Sequence, residues 1–478
     1  MLTETATTQT IIRELPADLE TPVSVYLKLR DENPSFLLES VEGGERIARY
    51  SFIGVQPRAQ YILRDGQIEV KERNELRIIN HEADPTQFLQ AEMSRFPAKR
   101  VPGAPRFTGG MVGYLAYDAV RFFEPTLQKR MGAPDIPDGI YLLADTVVAF
   151  DHARRSLFLI ANVLDGDKPA ADRKLDEIAA RIHAPLPPAP PLPAMHGKTT
   201  SNLVQAQFEQ MVKTAKEHIA AGDIFQVVLS QRFTRETDVD AFDVYRAVRR
   251  LNPSPYMFFF DFGNVNGEPL YLVGSSPEMF VRLEEDRASL RPIAGTRKRG
   301  ADAAADAALS AELLADPKER AEHVMLVDLG RNDIGRVCDY GTVNVSEFFT
   351  IEKYSHVMHI VSHVEGRLRP GLTAFDLVRA AFPAGTVSGA PKVRAMEIIA
   401  DLERDSRGAY AGMVGYFGFD GNMDTCLAIR TMIGRGKTVS VQAGAGIVAD
   451  SDPASEYQET INKASAMLRA IEMAEKNQ

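Results

Sequence analysis

The feature that most limits how this chain can fold is a proline-dense run, HAPLPPAPPLPAMHGKTTSN, at residues 183–202. Proline fixes φ and lacks a backbone N–H, and the run is almost uncharged before Lys198, so it reads as an extended, semi-rigid connector. It divides the sequence into an N-terminal α+β region (1–183), a linker (184–202) and a second region (203–478). With 478 residues, 45% of them hydrophobic, the chain has ample material for a core. Acidic residues outnumber basic ones 65 to 55, a net charge of -10, so a site for an anion must be built locally against the overall field. The same balance argues against general nucleic-acid binding. Two cysteines, Cys338 and Cys426, are too few for a disulfide framework, and no early apolar stretch reads as a signal peptide or membrane span. A cytoplasmic protein is expected. Tryptophan is absent altogether.

Upstream of the connector, PSFLLES and ERIARYSFIGV flank Glu42-Gly43-Gly44-Glu45, a pattern that predicts a hairpin with a glycine turn. Downstream, FEQMVKTAKEHIAAGD has helical spacing up to Gly222, and IFQVVLSQRF follows as a strand. Helices and strands alternate without regular βαβ order, which predicts an α+β fold with largely antiparallel sheets. GMVGYLAYD (110–118) is echoed by GMVGYFGFD (412–420). The echo fits either glycine-bearing hairpin strands or a sheet duplicated in the two regions.

Two helices open alike, each on Asp-Pro followed by glutamates. Asp316 and Asp452 suit the N-cap, with Pro317 and Pro453 at the first helical position. Glu319, three residues after its cap, is explained by a capping box. Glu322 has no such role, and its neighbours Val324, Met325, Leu326 and Leu329 predict a largely buried helix. On the second helix Glu456, Glu459 and Lys463 share a face, ordinarily a solvated one with a Glu459–Lys463 pair. The approach to that helix, VSVQAGAGIVADSDP, brings Gly444 and Gly446 just ahead of it, where bare backbone N–H groups can meet an anion beside a magnesium site. A dinucleotide reading of Gly444, Gly446 and Ala449 fails, because the helix begins only after Asp452.

YSHVMHIVSHVEG contains His356, His359 and His363, but its β-branched content predicts a strand rather than a zinc-binding helix. DTCLAIRTMI reads as an inner strand carrying Arg430, which requires either a buried ion pair or a carboxylate ligand. Neither cysteine stands in a glycine-flanked elbow, so thiol catalysis, glutamine hydrolysis included, is not expected of this chain.

Six motifs in order, GDIFQVVLSQRF, GSSPEMF, PIAGTRKRG, DPKERAEHVMLVDLGRND, YAGMVGYFGF and QAGAGIVADSDPASEYQETINKA, resemble the chorismate-utilising enzymes, and among them the large subunits of anthranilate synthases. The resemblance implies two largely antiparallel sheets packed as a sandwich with helices outside. It implies chorismate as substrate, and Mg2+ held by Glu322 and Glu459 with Glu319 and Glu456 behind them. Tyr410, Arg430, Gly444, Ala445, Gly446 and Lys463 match the site of the enolpyruvyl carboxylate, and Gly295 and Thr296 match other substrate contacts. Glu278 matches the general acid, and His359 the histidine associated with pyruvate elimination. Ala294 stands where the aminodeoxychorismate branch carries a nucleophilic lysine, and Gln226 where water-activating branches carry theirs.

Glu39 and Ser40 of LLES, with Pro255, Tyr256 and Met257 of NPSPYMFFF, resemble an L-tryptophan feedback pocket. Ammonia is expected from a separate glutamine amidotransferase subunit. The expectation is therefore an enzyme forming anthranilate and pyruvate, with an aminodeoxychorismate synthase or a catalytically silent tryptophan-sensing subunit as the alternatives. Arg297, Lys298 and Arg299 are expected to pair with acidic segments or set the local field.

Overall fold

In a computed structural model of the protein, residues 8–40, 49–73, 75–81, 83–132, 134–188, 197–354 and 357–476 are described. The expected glycine turn at residues 42–45 and His356 lie outside them. Two sheets of 12 strands dominate, and every ladder between their strands is antiparallel. The first runs Gln9–Pro16, Ser156–Val163, Thr146–Asp151, Tyr50–Val55, Ser35–Glu39, Tyr256–Val265, Glu268–Ser276, Thr431–Arg435, Thr438–Ile447, Gln226–Glu236 and Thr200–Ser201, with Gly389–Ala390 alongside. The second runs Ile293–Lys298, Val357–Arg367, Arg287–Leu290, Met279–Glu284, Met423–Leu427, Met413–Gly418, Gly110–Leu115, Gly139–Ala144, Ala59–Arg64, Gln67–Glu72 and Glu75–Asn80, with Asn344–Lys353 alongside.

Both sheets cross the division that the proline-rich run makes in the sequence. In the first, Ser35–Glu39 pairs with Tyr256–Val265, Met257 lying opposite Glu39. In the second, the two echoed segments pair with each other, Gly113 opposite Gly415. The echo is thus a seam joining early and late chain inside one sheet. Its glycines let the strands close up, since a Cβ at Gly110 would come within 2.0 Å of the Phe417 carbonyl oxygen.

Alternation along the strands decides what the sheets bury. Facing side chains such as Phe36, Phe258 and Phe260 from one sheet and Val112, Tyr114 and Tyr416 from the other fill a common apolar layer. Helices cover the outer faces. Pro22–Leu29, Lys168–His183, Ala241–Leu251 and Pro453–Glu475 pack on the first sheet, and Pro85–Met93 and Ala374–Ala381 on the second. The result is the expected α+β sandwich. Among the described residues no helix is long and apolar enough to cross a membrane.

The two Asp-Pro helices begin where predicted, at Pro317–Gly335 and Pro453–Glu475. Asp316 accepts hydrogen bonds from the N–H groups of Lys318 and Glu319, and Asp452 from that of Ser455. Two expectations are corrected. The Pro317 helix buries one stripe rather than most of its surface, and Val324 is exposed. DTCLAIRTMI is not one strand: Met423–Leu427 belongs to the second sheet and Thr431–Arg435 to the first. The intervening Ala428–Arg430 carries the chain from sheet to sheet, and Arg430 takes a left-handed conformation there, φ 50°.

Candidate active site

A cleft of about 710 Å³ opens between the sheet ends and the first turns of the two Asp-Pro helices. Helix geometry explains the acidic part of its lining. Glu319 and Glu322 follow the cap at Asp316, and Glu456 and Glu459 the cap at Asp452, each pair about one turn apart on its own helix. All four glutamates line the cleft. Glu319 does not reach back to its cap as a capping box requires; its carboxylate meets Arg297 Nη1 at 3.4 Å. Burial pushes the Glu322 carboxyl up, and the charge of Glu319 adds to the effect. Burial also raises Glu456, with Glu459 adding to it. These are like charges crowded together in reduced solvent, the situation a bound cation relieves.

Cationic and hydroxyl groups line the same cleft. Lys463 Nζ is 2.6 Å from Glu459 Oε1 and donates to the Gly444 carbonyl at 3.1 Å. Arg430 lines the cleft with no ion pair among the described residues, and burial lowers its pKa. Of the two partners the sequence left open for it, the buried ion pair is therefore not made. Gly444 abuts Tyr410: a Cβ there would sit 2.6 Å from the tyrosine hydroxyl oxygen. Ala445 alternates to the far face of its strand and packs among Phe208, Leu229 and Ile447. Gln226 Nε2 lies 3.5 Å from Glu322 Oε1.

At the cleft wall Glu278 leaves the end of strand Glu268–Ser276. Burial pushes its carboxyl up to about 7, against the opposing influence of the Thr386 hydroxyl and the Lys463 ammonium. His359 and Thr296 lie opposite each other on paired strands, and the register shifts at Gly295, whose φ is 66°. That irregularity turns the Gly295 carbonyl toward His359 Nδ1 at 2.9 Å, with Thr296 Oγ1 at 3.1 Å from the same nitrogen. An Nδ1–H donated to the carbonyl leaves Nε2 free to accept a proton. Burial lowers the His359 pKa, so the ring is neutral near pH 7. Ala294, one residue before the shift, also lines the cleft.

A second cavity lies in the sandwich interior. Glu39, Ser40, Pro255, Tyr256 and Met257, picked out from two remote segments, all line it, joined by Tyr50, Phe52, Arg106, Arg282, Tyr416 and Asp424. Asp424 holds Arg282 at 2.8 Å and accepts the Tyr256 hydroxyl at 3.1 Å. Glu39 is fixed from behind by the Tyr245 hydroxyl and by Arg249 Nε at 3.0 Å. Ser40 Oγ is buried and has no hydrogen-bond partner among the described residues.

A family model described as chorismate binding enzyme matches residues 15–469. The chain belongs to this family. It is 46% identical to an anthranilate synthase component 1 of Neisseria meningitidis serogroup C and to one of Pseudomonas aeruginosa, covering 97% of this chain and 95% of each relative. The crystal structure of anthranilate synthase component I from Streptococcus pneumoniae superposes with a TM-score of 0.78 at 36% identity, over 95% of this chain and 98% of that one. A menaquinone-specific isochorismate synthase from Escherichia coli, at 20% identity, 97% coverage of this chain and 95% of that one, shares the fold with a TM-score of 0.72.

Thr386, Gln442, Ser451 and Lys318 line the cleft without having been singled out from the sequence. Behind them Arg407, fully buried, binds Glu403 at 2.7 Å and lies over the rings of Tyr117 and Tyr410. Glu403 in turn accepts from Ser230 Oγ at 2.9 Å, and Ser230 Oγ accepts from Gln442 Nε2 at 2.8 Å. The signal available was the arginine in SRGAY, a cation next to the tyrosine that faces the cleft. Of the three cations in PIAGTRKRG, Arg297 pairs with Glu312, Asp316 and Glu319, and Arg299 with Asp306.

Proposed function

We propose that the chain is the synthase component of an anthranilate synthase, which adds ammonia to chorismate and expels pyruvate to leave anthranilate. The observation that carries this reading is Arg430, a guanidinium held away from solvent without an ion pair among the described residues, lining the same cleft as four glutamates. Chorismate has two carboxylates. The enolpyruvyl carboxylate suits Arg430, the Tyr410 hydroxyl and Lys463; the ring carboxylate suits a metal on the glutamates. The donor set fits Mg2+: hard oxygens on neighbouring helices, two carboxyls already raised by burial and by a neighbour's charge. Among the described residues no three His, Cys, Asp or Glu groups form a metal site by themselves, so on this reading substrate oxygens and water would complete the shell begun by Glu322 and Glu459. When bound, Mg2+ would neutralise and orient the ring carboxylate.

The chain's own groups supply the proton transfers. Ammonia must add at ring carbon 2 as hydroxide leaves carbon 4, and Glu278, with a pKa of about 7, can hold a proton for that oxygen at neutral pH. The free Nε2 of neutral His359 can take the ring proton lost as pyruvate departs and the ring becomes aromatic. Ala294 offers no amine to attack carbon 2, which favours free ammonia as nucleophile over a lysine adduct. Both thiols are buried and their pKa values raised, Cys338 to about 11, so ammonia release from glutamine falls to a separate amidotransferase subunit. The second cavity, with its aromatic walls, an acid in Glu39 and the Ser40 hydroxyl, unpaired among the described residues, suits the indole and amino acid groups of L-tryptophan acting as a feedback inhibitor.

Incubating the isolated chain with chorismate, magnesium and ammonium is expected to yield the blue fluorescence of anthranilate with stoichiometric pyruvate. A nonaromatic 4-amino product would move the chain to the aminodeoxychorismate branch.

A further inference from the structure

The two cavities touch one short segment, Asn252-Pro253-Ser254-Pro255-Tyr256-Met257. Asn252 to Pro255 line the cleft, Pro255 to Met257 line the second cavity, and Pro255 borders both. Two prolines around Ser254 remove most of the backbone freedom that would otherwise absorb a displacement at either end. The end of the segment from Asn252 to Ser254 gathers on one atom. Ser275 Oγ donates to the Asn252 carbonyl, accepts from Asn252 Nδ2 at 3.1 Å and shares a hydrogen bond with Ser254 Oγ at 2.8 Å. Ser275 is fully buried, lies opposite Met257 in the strand register, and donates its backbone N–H to the Arg430 carbonyl at 3.0 Å. Arg430 needs such a hold, because its left-handed φ of 50° is unfavourable for a non-glycine residue.

We infer that Ser275 is a positioning residue that ties the occupancy of the second cavity to the placement of Arg430 in the cleft. The inference rests on the feedback reading above and adds the residue through which it acts. A ligand that displaces Tyr256 and Met257 shifts the proline-stiffened stretch from Asn252 to Pro255 joined to them, the Ser275 hydroxyl bonded to Asn252 and Ser254 takes up that shift, and the Ser275 backbone N–H passes it to the Arg430 carbonyl. Chorismate binding weakens as a result, while the proton-transfer groups keep their hydrogen bonds. The effect therefore falls on KM.

The test uses the full chain with ammonium as nitrogen source, and L-tryptophan binding is followed separately by calorimetry. In the parent chain tryptophan is expected to raise the chorismate KM by roughly 5- to 150-fold, the usual span for coupled sites. Ser275→Ala removes the three side-chain contacts and leaves the bond to Arg430. Its KM ratio with and without tryptophan is expected to fall toward one, with the tryptophan Kd and the uninhibited kcat each within about threefold of the parent. Ser254→Ala, which spares the Asn252 contacts, is expected to lower the ratio part of the way, and it carries the test if the first variant does not fold. An unchanged ratio in whichever variants fold and bind tryptophan overturns the inference. A parent chain that makes anthranilate but binds no tryptophan removes the effector reading and the coupling with it, leaving the catalytic reading intact.

Discussion

Glu278 carries opposite demands on one carboxyl group. Its pKa of about 7 lies above the ordinary value of 4.5, so the folded chain binds its proton more tightly than the unfolded chain does. Between those two values stability declines as pH rises, because folding must bury a charge that the unfolded state leaves in water. Glu278→Gln should therefore melt higher than the parent at pH 8 and about equally at pH 4, a comparison calorimetry makes directly. Its kcat should fall at least about 100-fold through loss of the acid. In the parent, kcat is expected to decline above pH 7 as Glu278 ionises. Arg430→Met should raise the chorismate KM by roughly 10- to 100-fold, the worth of one charge-assisted contact, with little change in fold. At this scale the sequence was informative where chemistry is local. Arg430 announced itself as a cation in an apolar run, yet no pattern told that it sits between two sheets or that Ser275 holds it. Those facts depend on pairings with partners more than 100 residues away.

At the scale of elements, the caps were the legible part. Asp-Pro specifies a helix start through groups within four residues, so both helices and the four glutamates on them followed from the chain alone. The strands did not follow in the same way, since DTCLAIRTMI has uniform strand propensity and only tertiary pairing breaks it at Ala428. Asp316 shows how closely cap and site are joined: it caps the Pro317 helix and also holds Arg297 at 3.0 Å. Asp316→Ala is expected to cost about 1–2 kcal/mol of stability by denaturant melt. It should also raise the magnesium concentration for half-maximal activity, because Glu319 and Glu322 stand on the turns it anchors. An unchanged magnesium requirement would separate the helix start from the metal site.

At the scale of the molecule, the proline-rich run marked a real change in composition but carried no information about pairing. Strands from both sides of it are neighbours, Gly110–Leu115 with Met413–Gly418 in one sheet and Ser35–Glu39 with Tyr256–Val265 in the other. Each side alone would leave open sheet edges and half of the shared apolar layer in water. Residues 203–478 expressed alone are expected to aggregate, and co-expression with residues 1–188 to restore soluble, active material, as size-exclusion chromatography would read out. The aromatic walls of the second cavity have an optical consequence of their own. The chain contains 14 tyrosines and no tryptophan, and Tyr50, Tyr256 and Tyr416 border that cavity. An indole entering it would be the sole long-wavelength emitter in the sample, bathed in energy transferred from the surrounding phenols. L-tryptophan, the inhibitor proposed above, would then be its own fluorescent probe, reporting occupancy without a label.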